Sequence, residues 1–132
     1  MTQEDKELLL KDLSVRIPYG VKLLHIPTNE ITTLELVGKY FVDGDVHDSI
    51  EYFKPYLFPL SSMTDEQYLE IEILTNGQMS IDKYSIWDNS GYSELSLSQT
   101  LDVIDWLNKN HFDYRGLIEK GLALDATGLN IY

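Results

Sequence analysis

The chain contains no cysteine. That absence excludes disulfides, thiolate nucleophiles, iron–sulfur clusters and cysteine-bound zinc. Positive charge is scarce as well: 10 Lys and Arg stand against 22 Asp and Glu, a formal net charge of −12. Non-specific attachment to nucleic acid or to an anionic membrane needs Lys and Arg to displace counterions, so the balance argues against both. No apolar run approaches the roughly 20 residues of a membrane span. The stretch Met1-Thr2-Gln3-Glu4-Asp5-Lys6 lacks the positive region and apolar core of a signal peptide. The expectation is a cytoplasmic protein with no membrane contact, no direct nucleic-acid binding and no cofactor. The acidity itself has two readings. One is solubility and resistance to self-association; the other is a surface that meets a basic protein or mimics DNA phosphates.

What is present points to a folded chain. The 132 residues predict a single globular domain, 1–132, large enough to bury about two thirds of its unfolded surface. Two Trp, nine Tyr and four Phe supply too much apolar area for a solvated coil. Periodicity gives the elements. Thr2 caps an acidic first turn, and Leu8, Leu9, Leu10 and Leu13 give a helix over 3–13. Leu13, Val15 and Ile17 alternate with polar residues, so an extended segment is expected before Pro18 and Gly20. Val21–Ile26 and Ile31–Val37 read as a hairpin around Pro27-Thr28-Asn29-Glu30, with Lys39–Val42 extended, a turn at Asp43-Gly44-Asp45, and Val46–Phe53 ambiguous but strand-favouring. The prolines make residues 54–60 an extended, aromatic-rich connector. Thr64 with Gln67 forms a capping box. A helix from there to about Leu74 competes with a strand, because Leu69, Ile71 and Ile73 alternate with Glu70 and Glu72. Asn76-Gly77 marks a turn, Gln78–Trp87 a strand with an irregularity near Asp82-Lys83, and Asp88-Asn89-Ser90-Gly91 a loop. Ser96 and Ser98 compete to cap a helix over 97–109 that places Leu97, Leu101, Ile104 and Leu107 on one face. Asp113 is expected to cap a last helix over 114–120, with Gly121 as its stop and Leu122 closing the cap.

The fold expected is therefore α+β: an antiparallel, twisted sheet of about four to six strands with three to four helices on one face or end.

Functional side chains are densest between Trp106 and Arg115. His111 and Asp113 stand two apart, the spacing at which a carboxylate can orient an imidazole for base chemistry, but no nucleophile elbow or Gly-rich turn marks a partner. Asp113 has a capping task and Phe112 looks like core. His111, Tyr114, Arg115 and Trp106 are left as the candidate binding residues. Asp43, Asp45, His47 and Asp48 offer oxygen and imidazole ligands in one loop, though not at EF-hand spacing, and an acidic solvated turn explains them equally. Residues 54–59 have a polyproline-ligand look that their aromatic content turns toward burial. Trp87 and Trp106 are anchors for a partner or core. His25 reads as a satisfied or edge histidine, and Glu70/Glu72 and Asp102/Asp105 as acid pairs on solvated faces.

Two blocks also resemble known sequences. Lys54-Pro55-Tyr56-Leu57-Phe58-Pro59-Leu60-Ser61-Ser62-Met63-Thr64 is one. The other runs from Asp105 to Ala123 and includes Trp106-Leu107-Asn108-Lys109-Asn110-His111-Phe112-Asp113-Tyr114-Arg115-Gly116. Both resemble a group of small uncharacterised proteins of anaerobic gut bacteria, associated with their phages and other mobile elements. The group brings no activity, cofactor or catalytic residue to transfer. The resemblance implies a small accessory protein encoded on a prophage, and with it a protein-binding role.

The leading expectation is a non-enzymatic, acidic protein-interaction module. The alternatives are a small ligand-binding domain or enzyme built on His111–Arg115, and a DNA mimic that binds a basic protein.

Overall fold

The computed structural model describes residues 1–75, 79–81, 86–88 and 97–132. Helix α1 (Gln3–Arg16) precedes strands β1 (Lys22–His25), β2 (Glu30–Thr33), β3 (Leu36–Gly38), β4 (Phe41–Asp43), β5 (Asp48–Ser49) and β6 (Phe53–Pro59). Helix α2 (Asp65–Thr75), strands β7 (Met79–Ile81) and β8 (Ile86–Asp88), helix α3 (Leu97–Lys109) and strands β9 (Phe112–Asp113) and β10 (Leu124–Asp125) follow. The architecture is α+β, as expected. The chain divides into two compact units, Met1–Leu57 with Arg115–Tyr132, and Phe58–Tyr114. None of the described helices is long and apolar enough to cross a membrane.

In the first unit, α1 opens on a capping box. Thr2 Oγ1 accepts the Asp5 N–H at 3.1 Å, and Asp5 Oδ2 accepts the Thr2 N–H at 3.2 Å. The helix does not stop at Leu13. It continues to Arg16, and the extended segment expected from the Leu13-Val15-Ile17 alternation is helical instead. The reason is Asp12: one turn before Arg16, its carboxylate takes the guanidinium in two bonds, 2.8 Å from Nε and 3.2 Å from Nη2, on the same buried face as Leu9 and Leu13. A 3-10 turn over Ile17–Tyr19 contains Pro18, and Gly20 closes it in the left-handed region at φ 67°.

Strands β1 and β2 pair as the expected hairpin, from Lys22 with Thr33 to His25 with Glu30. The second strand does not run on to Val37. Leu34 still donates to the Val21 carbonyl at 2.9 Å, but Glu35 donates to Asp43 at 3.0 Å. The chain thus leaves one sheet at this point and joins a second, antiparallel one in the order β3-β4-β5. The ambiguous residues 46–53 contribute the two-residue β5 and a 3-10 turn, Ile50–Tyr52, before β6 begins.

Residues 54–60 are more than a connector. Strand β6 lies between β1, antiparallel, and β10, parallel, so the sheet is mixed. Two prolines inside a ladder strand need an account, because each lacks a donor. Ile26 donates to Tyr52 at 2.8 Å, which makes every second pair along β1 and β6 hydrogen-bonded and leaves Leu23 and Pro55 a pair with no ladder bond between them. The missing N–H of Pro55 therefore faces away from β1. Pro59, four residues on, shares its parity. Where the ladder next calls for a bond, at Lys22, the hydroxyl of Tyr132 intervenes: it accepts the Lys22 N–H at 2.8 Å and donates to the Tyr56 carbonyl at 2.7 Å. Burial pushes this phenol up to about 12.

The outer edge of β2 is covered by the acidic turn. Thr32 Oγ1 accepts the Asp45 N–H at 2.9 Å, and Gly44 lies so close to the Thr33 carbonyl that a Cβ would collide with it. Leu9, Leu13, Val21, Leu23, Val42 and Phe53 form the centre of this unit's core. The helix expected over 114–120 is a single turn. Gly121, at φ 74°, donates to Ile118, and Leu122 donates to Leu117, so the turn ends as a helix does at a glycine stop. Asp113 is the second residue of β9.

In the second unit, Phe58 and Pro59 at the end of β6 pair in parallel with Phe112 and Asp113 of β9. Thr64 and Gln67 form the expected box, at 2.9 and 3.2 Å, and α2 follows rather than a strand. Ile71 and Thr75, four apart, are buried, while Leu69 and Ile73 are 55% and 68% exposed. Helix α3 spans the expected residues but presents a different face. Val103 and Leu107 join Leu60, Met63, Ile71 and Phe112 in the core, and Leu101 is 51% exposed. Where one strand is expected over 78–87, the described residues form two, β7 and β8, which pair antiparallel, Met79 with Asp88 and Ile81 with Ile86. The Asn76-Gly77 turn, the irregularity at Asp82-Lys83, the loop after Asp88 and the Ser96 cap lie outside the described residues.

Candidate functional site

The four binding candidates fall in both units. Trp106, His111 and Tyr114 belong to the second and Arg115 to the first. Trp106 lies on α3. Its ring stacks on Phe112, with centroids 5.7 Å apart and planes 8° apart, and its indole N–H donates to Glu70 Oε2 at 2.9 Å. His111 turns the chain from α3 into β9. Its backbone is left-handed at φ 62°, its N–H donates to the Asn108 carbonyl at 3.1 Å, and its own carbonyl accepts the Phe58 N–H at 2.8 Å. The Tyr114 hydroxyl donates to Oδ1 of buried Asn108 at 2.8 Å. Arg115 Nε stands 3.2 Å from Asp12 Oδ1, on the carboxylate that also holds Arg16.

Around Trp106 the second unit forms an open groove. It has a volume of about 390 Å³ and is lined by Glu70, Ile73 and Leu74 of α2 with Trp106 and Lys109 of α3 and the following Asn110. The two helices meet through Ile71, Val103 and Leu107. The residues beside that contact then diverge: Ile73 and Leu74 form one apolar wall and the indole the other. The indole is fixed from both sides, by the Glu70 bond and by the Phe112 stack. The two helices are acidic overall, since Asp65, Glu66, Glu70, Glu72, Asp102 and Asp105 are all exposed and Lys109 is their one basic residue; Glu70 and Lys109 line the groove itself. Such a groove can take an apolar side chain and attract cations beside it.

The loop proposed for a metal resolves differently. His47 Nδ1 lies 3.6 Å from Asp43 Oδ1, the Asp45 backbone is tied to Thr32, and Asp48 faces His25. Among the described residues no three His, Asp or Glu side chains gather at ligand spacing.

His25 is the residue whose surroundings the sequence did not disclose. Its ring is 4% exposed and lies 4.9 Å from the Phe53 ring. Nε2 is 2.8 Å from Asp48 Oδ2, and Nδ1 is 2.7 Å from the Thr28 hydroxyl. The His25 hydrogen bond, followed by the Ser49 N–H on the other oxygen, holds the Asp48 carboxyl below its ordinary value of 3.8. An ionised carboxylate only accepts, so a neutral His25 carries its proton on Nε2. Nδ1 is then the acceptor, and Thr28 must donate to it. The Thr28–His25 half was within reach of the sequence, three residues apart across a turn. The Asp48 half depends on where β5 packs. No protein-family model, curated protein or solved structure matches the chain.

Proposed function

We propose that this chain is a non-enzymatic, cytoplasmic interaction module that binds a basic polypeptide segment on its α2–α3 face. The observation that carries the reading is the open groove at Trp106, bounded by Ile73, Leu74 and the indole with Glu70 at its edge, on two helices whose exposed charges are mostly acidic. An anchor residue in such a concavity, surrounded by polar groups, is the common anatomy of a recognition hot spot. The occupant that fits is a segment with one large aliphatic or aromatic side chain flanked by Lys or Arg. The side chain fills the space between Ile73, Leu74 and Trp106, and a flanking cation meets Glu70. Exposed Leu69, Ile73 and Leu101 add apolar area for the partner to cover. The resemblance to a group of small uncharacterised proteins associated with phages and mobile elements, which implies an accessory protein, favours a protein partner in the same sense.

The test is a titration of isotope-labelled protein with two synthetic peptides of equal length. One carries a central Leu between Lys residues; the other carries the same Leu between Glu residues. The expected result is a shift of the Trp106 indole N–H and of the Ile73 and Leu74 amides with the basic peptide only, weakened as salt is raised. Equal responses to both peptides, or shifts confined to the first unit, overturn the reading.

A further inference from the structure

The first unit carries a second arrangement, independent of the α2–α3 groove. We infer that Thr28 is an acyl-acceptor site, its hydroxyl activated by His25 and the imidazole oriented by Asp48. Three separate elements deliver the parts. Thr28 sits exposed in the turn between β1 and β2, His25 ends β1 and is buried, and Asp48 opens β5. Every link is short: 2.7 Å from hydroxyl to Nδ1, 2.8 Å from Nε2 to Asp48, and 2.8 Å from the Ser49 N–H to the other Asp48 oxygen. Phe53 packs against the imidazole and Ser49 fixes the carboxylate, so the base is already oriented in the resting protein. This is the logic of an activated hydroxyl: nucleophile, base, and a third group that sets the tautomer of the base. The reactive oxygen lies at the solvent end of the chain and the carboxylate at the far end.

The substrate class is an activated acyl ester. Thr28 Oγ1 attacks the carbonyl carbon and its proton passes to His25 Nδ1. The bond from that carbon to the leaving oxygen breaks, the alcohol or phenol departs after taking a proton back from His25, and an ester remains on Thr28. The imidazolium formed on the way is paired with Asp48. One transfer per chain makes this a modification site and leaves the proposed binding role as it stands.

The test uses the full chain and p-nitrophenyl acetate. The expected product is a single hydroxylamine-labile acetyl group mapped to Thr28 by mass spectrometry, distinct from hydroxylamine-stable lysine amides. Thr28→Ser retains it and Thr28→Val lacks it. His25→Gln slows Thr28 labelling about a hundredfold, the scale of a positioned general base, and Asp48→Asn about tenfold. Melting curves report whether each variant is folded. If His25→Gln does not fold, the Asp48→Asn rate decides, because that carboxylate is part-exposed. Absence of acetyl on Thr28, or an unchanged labelling rate in folded Asp48→Asn, overturns the assignment.

Discussion

Trp106 of α3 donates its indole N–H to Glu70 of α2 at 2.9 Å while its ring lies within 8° of parallel to Phe112. One side chain thus joins the two helices and forms a wall of the groove. Trp106→Phe keeps a ring over Phe112 and loses the bond, and should cost about 0.5–1 kcal/mol in urea unfolding. Trp106→Ala should cost about 2–3 kcal/mol, since it also removes the stack. Both should weaken the basic peptide at least about tenfold, a loss that Trp106→Phe shows at nearly full stability.

The fully buried Asp12–Arg16 pair gives an asymmetric prediction. Asp12→Ala strips a buried guanidinium of its carboxylate and should destabilise by about 3–5 kcal/mol. The double substitution Asp12→Leu with Arg16→Met removes both charges and should recover most of that loss. Arg115→Gln, at a guanidinium 26% exposed, should cost about 1 kcal/mol or less. Chemical denaturation of the three variants checks the order.

Tyr132→Phe deletes the hydroxyl that stands between Lys22 and Tyr56. The cost should be about 0.5–1.5 kcal/mol, the net worth of a hydrogen bond at a site that water can partly reach. The pH dependence has a definite sign. The folded phenol sits at about 12 against an ordinary 10, so the unfolded chain releases this proton first as pH rises. The stabilisation is complete below pH 10 and is lost between there and about 12. Ultraviolet titration should show a late-ionising tyrosine in the parent that is lost in Tyr132→Phe, whose alkaline stability curve should be correspondingly flatter.

Gly44 and Gly38 are both crowded, by different neighbours. A methyl on Gly44 meets the backbone carbonyl of Thr33, which can yield only if the turn lifts off β2; a methyl on Gly38 meets the Phe41 ring, which can swing aside. Gly44→Ala should cost about 1–3 kcal/mol and Gly38→Ala about 1 kcal/mol or less. Because the turn covers a strand edge, Gly44→Ala should also raise concentration-dependent self-association in size-exclusion runs.

These residues show which parts of the fold a reader of the sequence can reach. Thr2 with Asp5, Thr64 with Gln67 and the Gly121 stop were legible because a cap is made within a few residues of itself. Val15 misled because its alternation with Leu13 and Ile17 is a local pattern, while the helix is held by Asp12 beneath Arg16. Pro55 misled more deeply. Whether a proline can enter a ladder depends on which neighbour its missing donor faces, and that is fixed by the register with β1. The candidate site divides the same way. Trp106 could be singled out for its size, but its groove needs Ile73 and Leu74 from another helix. Arg115 looked uncommitted because its carboxylate, Asp12, is more than a hundred residues away.

The bridging phenol has one more consequence. The Lys22 amide proton rests on a side chain from the far end of the numbering rather than on the strand opposite. Its exchange with deuterated water therefore times the departure of residue 132 from the seam between β1 and β6, whereas the Ile26 amide, bonded directly to Tyr52, times the parting of the strands themselves. Two amides four residues apart on one edge thus keep separate clocks for two openings of the same sheet.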